Sequence, residues 1–366
     1  MKAKRPIFLV SSFLILLVWF NMGNDDGLVR VPTPVSAPRD FHYKYTVQKG
    51  FFMQSEDETD DGRFDFRKEN FGLVSRSYPT DSEEQEQEQQ WKRFEKYVRS
   101  LEEGKQAGES YKVLFLGRHG EGWHNVAEAK YGTEAWDCYY SALNGASGLT
   151  WSDAHLTPLG TQQAHETSTL WSHQLSLGLP PPQKYYASPL TRAIQTADLT
   201  FSPLNLKHHL AYKPHIKELL REALGIHTCD RRSTLAHLRT TYPHLTFEKG
   251  FEEEDVLWKE DYREPASARR YRLSVLLDEV FAEEEEGEGV VWVSLTSHSG
   301  AIASALEGVG HRAFRLETGG VIPVFLKAER VEGKRDVPPW EPSDAPPLCK
   351  EPPPPPSSSS SSSSSR

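Results

Sequence analysis

The feature that most constrains the fold is the stretch Val113–Asn125, which reads VLFLGRHGEGWHN. It opens with an apolar run of strand length, and Arg118 and His119 follow between two glycines. Because open α/β sheets bind ligands at the carboxyl ends of their strands, this pattern predicts a guanidinium and an imidazole at a binding edge. An imidazole can act as a nucleophile, and a fixed guanidinium can hold an oxyanion in a bidentate way. The pair therefore indicates attack by His119 on a phosphoryl group.

A second cation is predicted at the start of a helix. Lys184–Ala187 is a short strand candidate, and Ser188-Pro189 has the hydroxyl cap and first-turn proline that are typical of a helix start. Arg192 lies in the first turn of this helix, where a cation opposes the helix dipole. An oxyanion shared between Arg192 and the helix N-terminus would account for its position. The alternative is an ordinary surface arginine.

Two more strand ends supply a carboxyl group and a second imidazole. Glu222 follows the strand candidate His215–Leu219 and has apolar neighbours, so its pKa is expected to be raised, as a general acid requires. The alternative for Glu222 is a solvated surface carboxylate. His298 follows Val290–Leu295, the best candidate for a buried strand, and stands at a turn into an alanine-rich helix.

Together these motifs resemble the histidine phosphatase superfamily in its phosphoglycerate-mutase-like branch, and most of all the fungal phosphatases of that branch. The resemblance covers about residues 43–327 and is carried by YKVLFLGRHGEGWHNVAE, SPLTRAIQTA, the stretch around Glu222 and SHSG. It implies an α/β fold, a three-layer α/β/α sandwich around a mostly parallel sheet. It also implies hydrolysis of small organic phosphomonoesters through a phosphohistidine, with no metal or other cofactor.

The resemblance also implies a role for each matching residue. His119 would be the nucleophile that forms the phosphohistidine. Glu222 would protonate the leaving alcohol and then deprotonate the attacking water. The phosphoryl oxygens would be held by Arg118, Arg192 and His298, with Asn125 assisting.

The chain departs from the family pattern beside the nucleophile. Gly122 stands where many relatives have a hydroxyl residue, so one contact to the phosphate is expected to be lost. Glu121 adds a carboxylate, which should disfavour highly anionic substrates. Asp230 and Glu121 are the alternatives to Glu222 as the general acid.

Two other functions remain open. A phosphoglycerate mutase would use the same residues but keep the phosphohistidine long enough to return the phosphoryl group. A catalytically silent protein that binds a phosphorylated ligand would need no proton donor. A metal site is not expected, because the histidines show no HxxxH or HExxH spacing on a plausible helix; His124 is expected at the surface or near the pocket rim.

Composition and chain ends complete the prediction. The net charge of −10 argues against nonspecific nucleic-acid binding, so a phosphate pocket would have to be a local positive region in an acidic surface. The resemblance implies a small phosphorylated molecule as the ligand and no nucleic acid. Three cysteines with no CxxC pair predict neither a disulfide framework nor a zinc site.

The apolar run 7–20 follows a basic start and is typical of a secretory signal or signal anchor. We therefore expect a signal or anchor plus linker over 1–40, the histidine phosphatase domain over 41–335, and a disordered Pro/Ser-rich tail over 336–366. An ER or secretory location, with possible membrane attachment through 7–20, is favoured over a cytoplasmic one.

Overall fold

The structure is a computed structural model of the 366-residue chain, and it describes residues 39–82, 88–204, 206, 211–283 and 289–353. The apolar run 7–20, for which a signal or anchor is predicted, lies outside the described residues. Among the helices within the described ranges, none has the length and apolar character needed to cross a membrane.

A seven-stranded sheet in the order β1-β9-β2-β8-β5-β6-β7 forms the centre of the domain. Strands β2, β8, β5, β6 and β7 run parallel, whereas β9 is antiparallel to both β1 and β2. The predicted α/β fold with a mostly parallel sheet is therefore confirmed. The strands of this sheet are β1 (Phe41–Val47), β2 (Glu109–Arg118), β5 (Lys184–Ala187), β6 (Pro214–Ile216), β7 (Thr246–Phe247), β8 (Trp292–Ser297) and β9 (Val321–Glu332). A separate two-stranded ribbon pairs β3 (Gly145–Ala146) with β4 (Leu149–Thr150).

Helices cover both faces of the sheet. Alternate residues of β2 point to opposite faces, so Val113 and Phe115 join one apolar cluster and Leu114 and Leu116 join another. The first cluster is completed by α1, α4 and α5, and the second by α7 and α8, which gives the predicted three layers. The helices are α1 (Gln90–Glu103), α2 (Trp123–Tyr131), α3 (Thr133–Cys138), α4 (Pro158–Ser176), α5 (Thr191–Phe201), α6 (Leu235–Thr241), α7 (Ala266–Ala282) and α8 (Ser299–Gly308).

The helix start predicted at Ser188-Pro189 is wrong. Helix α5 begins at Thr191, whose backbone N–H donates to Asp153 Oδ1 at 2.8 Å. The capping oxygen thus comes from a residue far away in the sequence. Ser188 does not cap the helix, and its Oγ lies 2.8 Å from His298 Nε2.

The described part of the predicted tail, residues 336–353, contacts the domain. The described part runs to residue 353, and Tyr262 Oη donates to Glu341 O at 3.0 Å. Cys138 and Cys349 form a single disulfide, which the prediction of no disulfide framework did not identify. The two cysteines are 211 residues apart, and no local spacing signals such a bond. The rest of the tail lies outside the described residues.

Candidate active site

The nucleophile predicted from the sequence lies beside the second predicted histidine. Arg118 ends β2, and the parallel register places it opposite Ser297, the last residue of β8. The backbone N–H of His119 donates to Ser297 O at 3.0 Å. His119 directly follows β2 and His298 directly follows β8, and their ring centroids are only 5.1 Å apart.

The geometry around His119 fixes its tautomer. Its side chain is 2% exposed, and Nδ1 lies 2.7 Å from the carbonyl oxygen of Gly120. Since a carbonyl only accepts hydrogen bonds, Nδ1 must carry the proton, and Nε2 keeps a free electron pair. Burial, together with the charges of Arg192 and Arg118, holds the pKa of His119 well below its usual value. The ring is therefore neutral and its Nε2 can act as a nucleophile.

Arg192 is buried, so the alternative of an ordinary surface arginine is wrong. Its Nη1 donates to Cys229 O at 2.5 Å, and its Nη2 donates to Asp230 Oδ1 at 2.8 Å. Arg263 Nη1 donates to the other oxygen of the same carboxylate, also at 2.8 Å. The two guanidiniums hold the pKa of Asp230 well below its usual range against the opposing effect of burial. Asp230 thus stays ionised and has no proton to give as a general acid.

Four buried nitrogens around His119 have no hydrogen-bond partner among the described residues. They are Arg118 Nε, His124 Nδ1, Arg192 Nε and His298 Nδ1. Buried polar atoms nearly always have a partner, and both guanidinium Nε atoms always carry a proton. An oxyanion bound next to His119 would supply the missing acceptors.

His124 is the member of this group that the sequence prediction missed. It was expected at the surface or near the pocket rim and was given no role; the structure places its half-buried ring with the centroid 5.2 Å from that of His119. Its one sequence signal is its place five residues after the nucleophile, on the first turn of α2.

Asn125 is in the same turn, where the structure shows a different contact from the predicted one. Its Oδ1 accepts a hydrogen bond from Gly122 N at 3.0 Å and so caps the N-terminus of α2. This contact fixes the backbone between the nucleophile and the helix.

The carboxylate of Glu222 reaches the start of α8, two residues beyond His298. Its Oε2 accepts from Gly300 N at 2.9 Å and its Oε1 from Ala223 N at 3.0 Å. A Cβ atom at position 300 would lie 2.4 Å from Oε1, so only glycine allows this approach. The Glu222 charge also acts on Arg118. The surroundings of the carboxylate are thus more polar than its apolar sequence neighbours predict.

The Glu121 carboxylate contacts the start of α4. Its Oε1 accepts a hydrogen bond from Thr157 Oγ1 at 2.7 Å, at the residue that caps α4. This contact disfavours Glu121 as the general acid.

One group of potential metal ligands occurs within the described ranges, formed by His227, Cys229 and Asp230, whose ligand atoms lie within 4.8 Å of one another. A cation there would meet the guanidiniums of Arg192 and Arg263, which already occupy the Asp230 carboxylate. These two arginine contacts to Asp230 disfavour a metal ion at this group.

Comparison with known proteins identifies the family of this chain. The pattern of the histidine phosphatase superfamily (branch 1) matches residues 142–316, which include Arg192, Glu222 and His298. A protein named "Probable phosphoglycerate mutase" from Arthroderma benhamiae is 46% identical over 296 residues, which are 80% of this chain and 86% of that protein.

Two yeast proteins are also similar. "Phosphomutase-like protein 3" from Candida albicans is 34% identical over 305 residues, covering 82% of this chain and 84% of that one. "Probable phosphoglycerate mutase PMU1" from Saccharomyces cerevisiae is 34% identical over 235 residues, covering 59% and 79%. The chain belongs to the histidine phosphatase superfamily, in its phosphoglycerate-mutase-like branch.

Proposed function

We propose that the protein is a metal-independent phosphatase that hydrolyses small organic phosphomonoesters through a phosphohistidine at His119. The observation that carries this proposal is the tautomer of His119. Its Nδ1 lies 2.7 Å from Gly120 O, and its ring is buried beside the charges of Arg118 and Arg192. A neutral imidazole with a free Nε2 in a cationic pocket is what attack on a phosphate ester requires.

In the first step His119 Nε2 attacks phosphorus, the P–N bond forms and the ester P–O bond breaks. Glu222 gives its proton to the departing alkoxide. Arg118, Arg192 and His298 bind the non-bridging oxygens, on which charge is spread in the transition state. Phosphoryl transfer depends mainly on such positioning and charge stabilisation, so these groups suffice for the step.

In the second step water attacks the phosphohistidine. The Glu222 carboxylate, now without its proton, takes a proton from that water. The P–N bond breaks, inorganic phosphate leaves and both residues return to their starting states. Two guanidiniums supply the positive charge, which is the reason to propose that no metal takes part.

The names of two relatives favour a second candidate, a phosphoglycerate mutase. A mutase would run the first step in reverse: the phosphoryl group would pass from His119 to a hydroxyl of the substrate. It would need priming by a bisphosphoglycerate. It would also need a pocket that excludes water from the phosphohistidine.

The test is hydrolysis of p-nitrophenyl phosphate by the full chain in the presence of a chelator. Wild type should be active and His119→Ala inactive, and acid-labile phosphate should be trapped on wild type only. His165→Ala, which changes an exposed histidine on α4, is the matched control and should behave as wild type. Activity that needs an added metal would refute metal independence. Primer-dependent transfer without net hydrolysis would favour the mutase, and no activity in either assay would favour a silent binding protein.

A further inference from the structure

We infer that His124 is a fourth phosphoryl-binding residue, which donates a hydrogen bond from Nδ1 to the transferred group. This inference rests on the proposed function, because it needs a phosphoryl group at His119. It adds a residue beyond Arg118, Arg192 and His298.

The first observation is the position of the ring. His124 lies on the first turn of α2, and its ring centroid is 5.2 Å from that of His119. The corresponding distance between His119 and His298 is 5.1 Å. The nucleophile therefore has two imidazole neighbours at nearly the same distance, one contributed by each of two strand-to-helix turns.

The second observation is the space that Gly122 leaves. A Cβ atom at position 122 would lie 2.7 Å from His124 Nδ1 and 3.4 Å from Arg192 Cδ. The first distance is shorter than real Cβ contacts, so any side chain at 122 would exclude this placement of the imidazole. The missing side chain lets His124 Nδ1 take the place beside Arg192.

The third observation is the unsatisfied state of that atom. Nδ1 is enclosed, and the part of the chain that the structure describes offers it no hydrogen-bond partner. An imidazole kept only for packing would normally turn its buried nitrogen to a protein acceptor. A phosphoryl oxygen beside His119 would be that acceptor.

The charges around His124 agree with a neutral donor. Burial, then Arg192 and His119, lower the pKa of His124; Asp230 opposes them, and Arg118 adds a smaller lowering effect. A neutral imidazole carries one N–H, which it can donate without bringing a further charge into the pocket.

The experiment compares His124→Ala, His124→Asn, Gly122→Ser and the double variant Gly122→Ser/His124→Ala, with His165→Ala as control. The readouts are kcat/KM for p-nitrophenyl phosphate, the inhibition constant of orthovanadate, and thermal stability. Because a hydrogen bond to a charged group is lost, His124→Ala should lower kcat/KM by about 10- to 100-fold and weaken vanadate binding by a similar factor.

The other variants separate donation from packing. His124→Asn places an amide N–H near the position of Nδ1 and should keep more activity than His124→Ala. Gly122→Ser should impair the enzyme, because its Cβ meets the imidazole. In the double variant the serine hydroxyl enters the space that the imidazole leaves, so its activity should exceed that of Gly122→Ser.

A direct measurement is the ¹⁵N resonance of His124 Nδ1 in histidine-labelled wild type, which should shift when vanadate binds. An unchanged resonance, or wild-type kinetics and vanadate binding in His124→Ala, overturns the inference while the phosphatase stands. An equal loss in the alanine and asparagine variants without weaker vanadate binding also overturns it. If wild type neither hydrolyses the ester nor binds vanadate, the proposed function itself has failed.

Discussion

Arg192 and Asp230 form an ion pair with an N–O distance of 2.8 Å, and their side chains are 1% and 3% exposed. The pair joins the start of α5 to the loop that carries Glu222. Arg263 binds the second oxygen of the same carboxylate and also donates to Ala223 O at 2.9 Å, next to Glu222. One carboxylate thus balances only one of these two guanidiniums, so the pocket retains positive charge for an anion.

The first prediction concerns Arg192→Lys. A lysine ammonium cannot reproduce the planar set of donors that contacts Cys229 O and Asp230 and leaves Nε free. We expect a loss in kcat/KM of about 100-fold or more, as for the removal of a donor that stabilises a transition state. Arg63→Lys, at a side chain that is 90% exposed, is the control. Near-normal turnover of Arg192→Lys would remove Arg192 from the site.

The second prediction is that the protein loses stability as the pH falls from 7 to 5. The pKa values of His119, His124 and His298 are held well below normal, mainly by burial. Unfolded imidazoles titrate near pH 6.5, so below that pH the unfolded chain binds protons that the native chain does not. Each imidazole should lower the free energy of unfolding by up to about 1.4 kcal/mol per pH unit well below pH 6.5, and this contribution should fade as the pH rises through and above 6.5.

Urea unfolding at pH 5, 6 and 7 measures this slope. Buried carboxyl groups act in the opposite direction: burial raises the pKa of Glu248 to about 7 and also raises the pKa values of Glu128 and Asp137, so the native state gains protons there as the pH falls. The comparison is therefore between wild type and His298→Gln, which should have a smaller slope by one imidazole. Identical slopes would show that His298 is protonated equally in both states.

The sequence was sufficient where the chemistry is local. The apolar strands β2 and β8 each end directly in a polar motif, so Arg118, His119 and His298 could be placed at one sheet edge. The same holds for α4, because a hydroxyl residue followed by proline is typical of a helix start and Thr157 Oγ1, just before Pro158, accepts from Gly160 N at 3.0 Å.

Prediction from the sequence failed where a side chain contacts a residue that is distant in the sequence. Ser188 resembles a helix cap but contacts His298, 110 positions away. Asp230 resembles a possible acid, yet two guanidiniums from other elements keep it ionised. His124 lies in the motif, but the placement of its Nδ1 depends on the lack of a side chain at Gly122. Such pairings depend on the tertiary fold and leave no local pattern.

The third prediction concerns the disulfide between Cys138 and Cys349. The segment it holds contacts Arg263, whose backbone N–H donates to Ser343 Oγ at 2.9 Å. Since the bond closes a long loop, Cys138→Ser/Cys349→Ser should lose about 2–4 kcal/mol of unfolding free energy. Alkylation of the denatured, unreduced protein should label Cys229 alone, and reduction should expose all three thiols. Three reactive thiols without reduction would show that the bond is absent. They would also remove the argument for an oxidising compartment, where such bonds usually form.

The fourth prediction separates Glu222 from its alternatives as the proton donor. Glu222→Gln should keep the contact to Gly300 N but cannot deliver a proton to the leaving group. Alkyl phosphates, whose alkoxides leave poorly, should therefore lose far more activity than aryl phosphates, whose phenolates leave without help. Glu121→Gln is the matched control, since its carboxylate binds Thr157, and it should lower both activities little and equally. Rates of alkyl and aryl phosphate hydrolysis in the two variants decide the matter: a uniform loss in Glu222→Gln would mean that this carboxylate positions the start of α8 without protonating the leaving group.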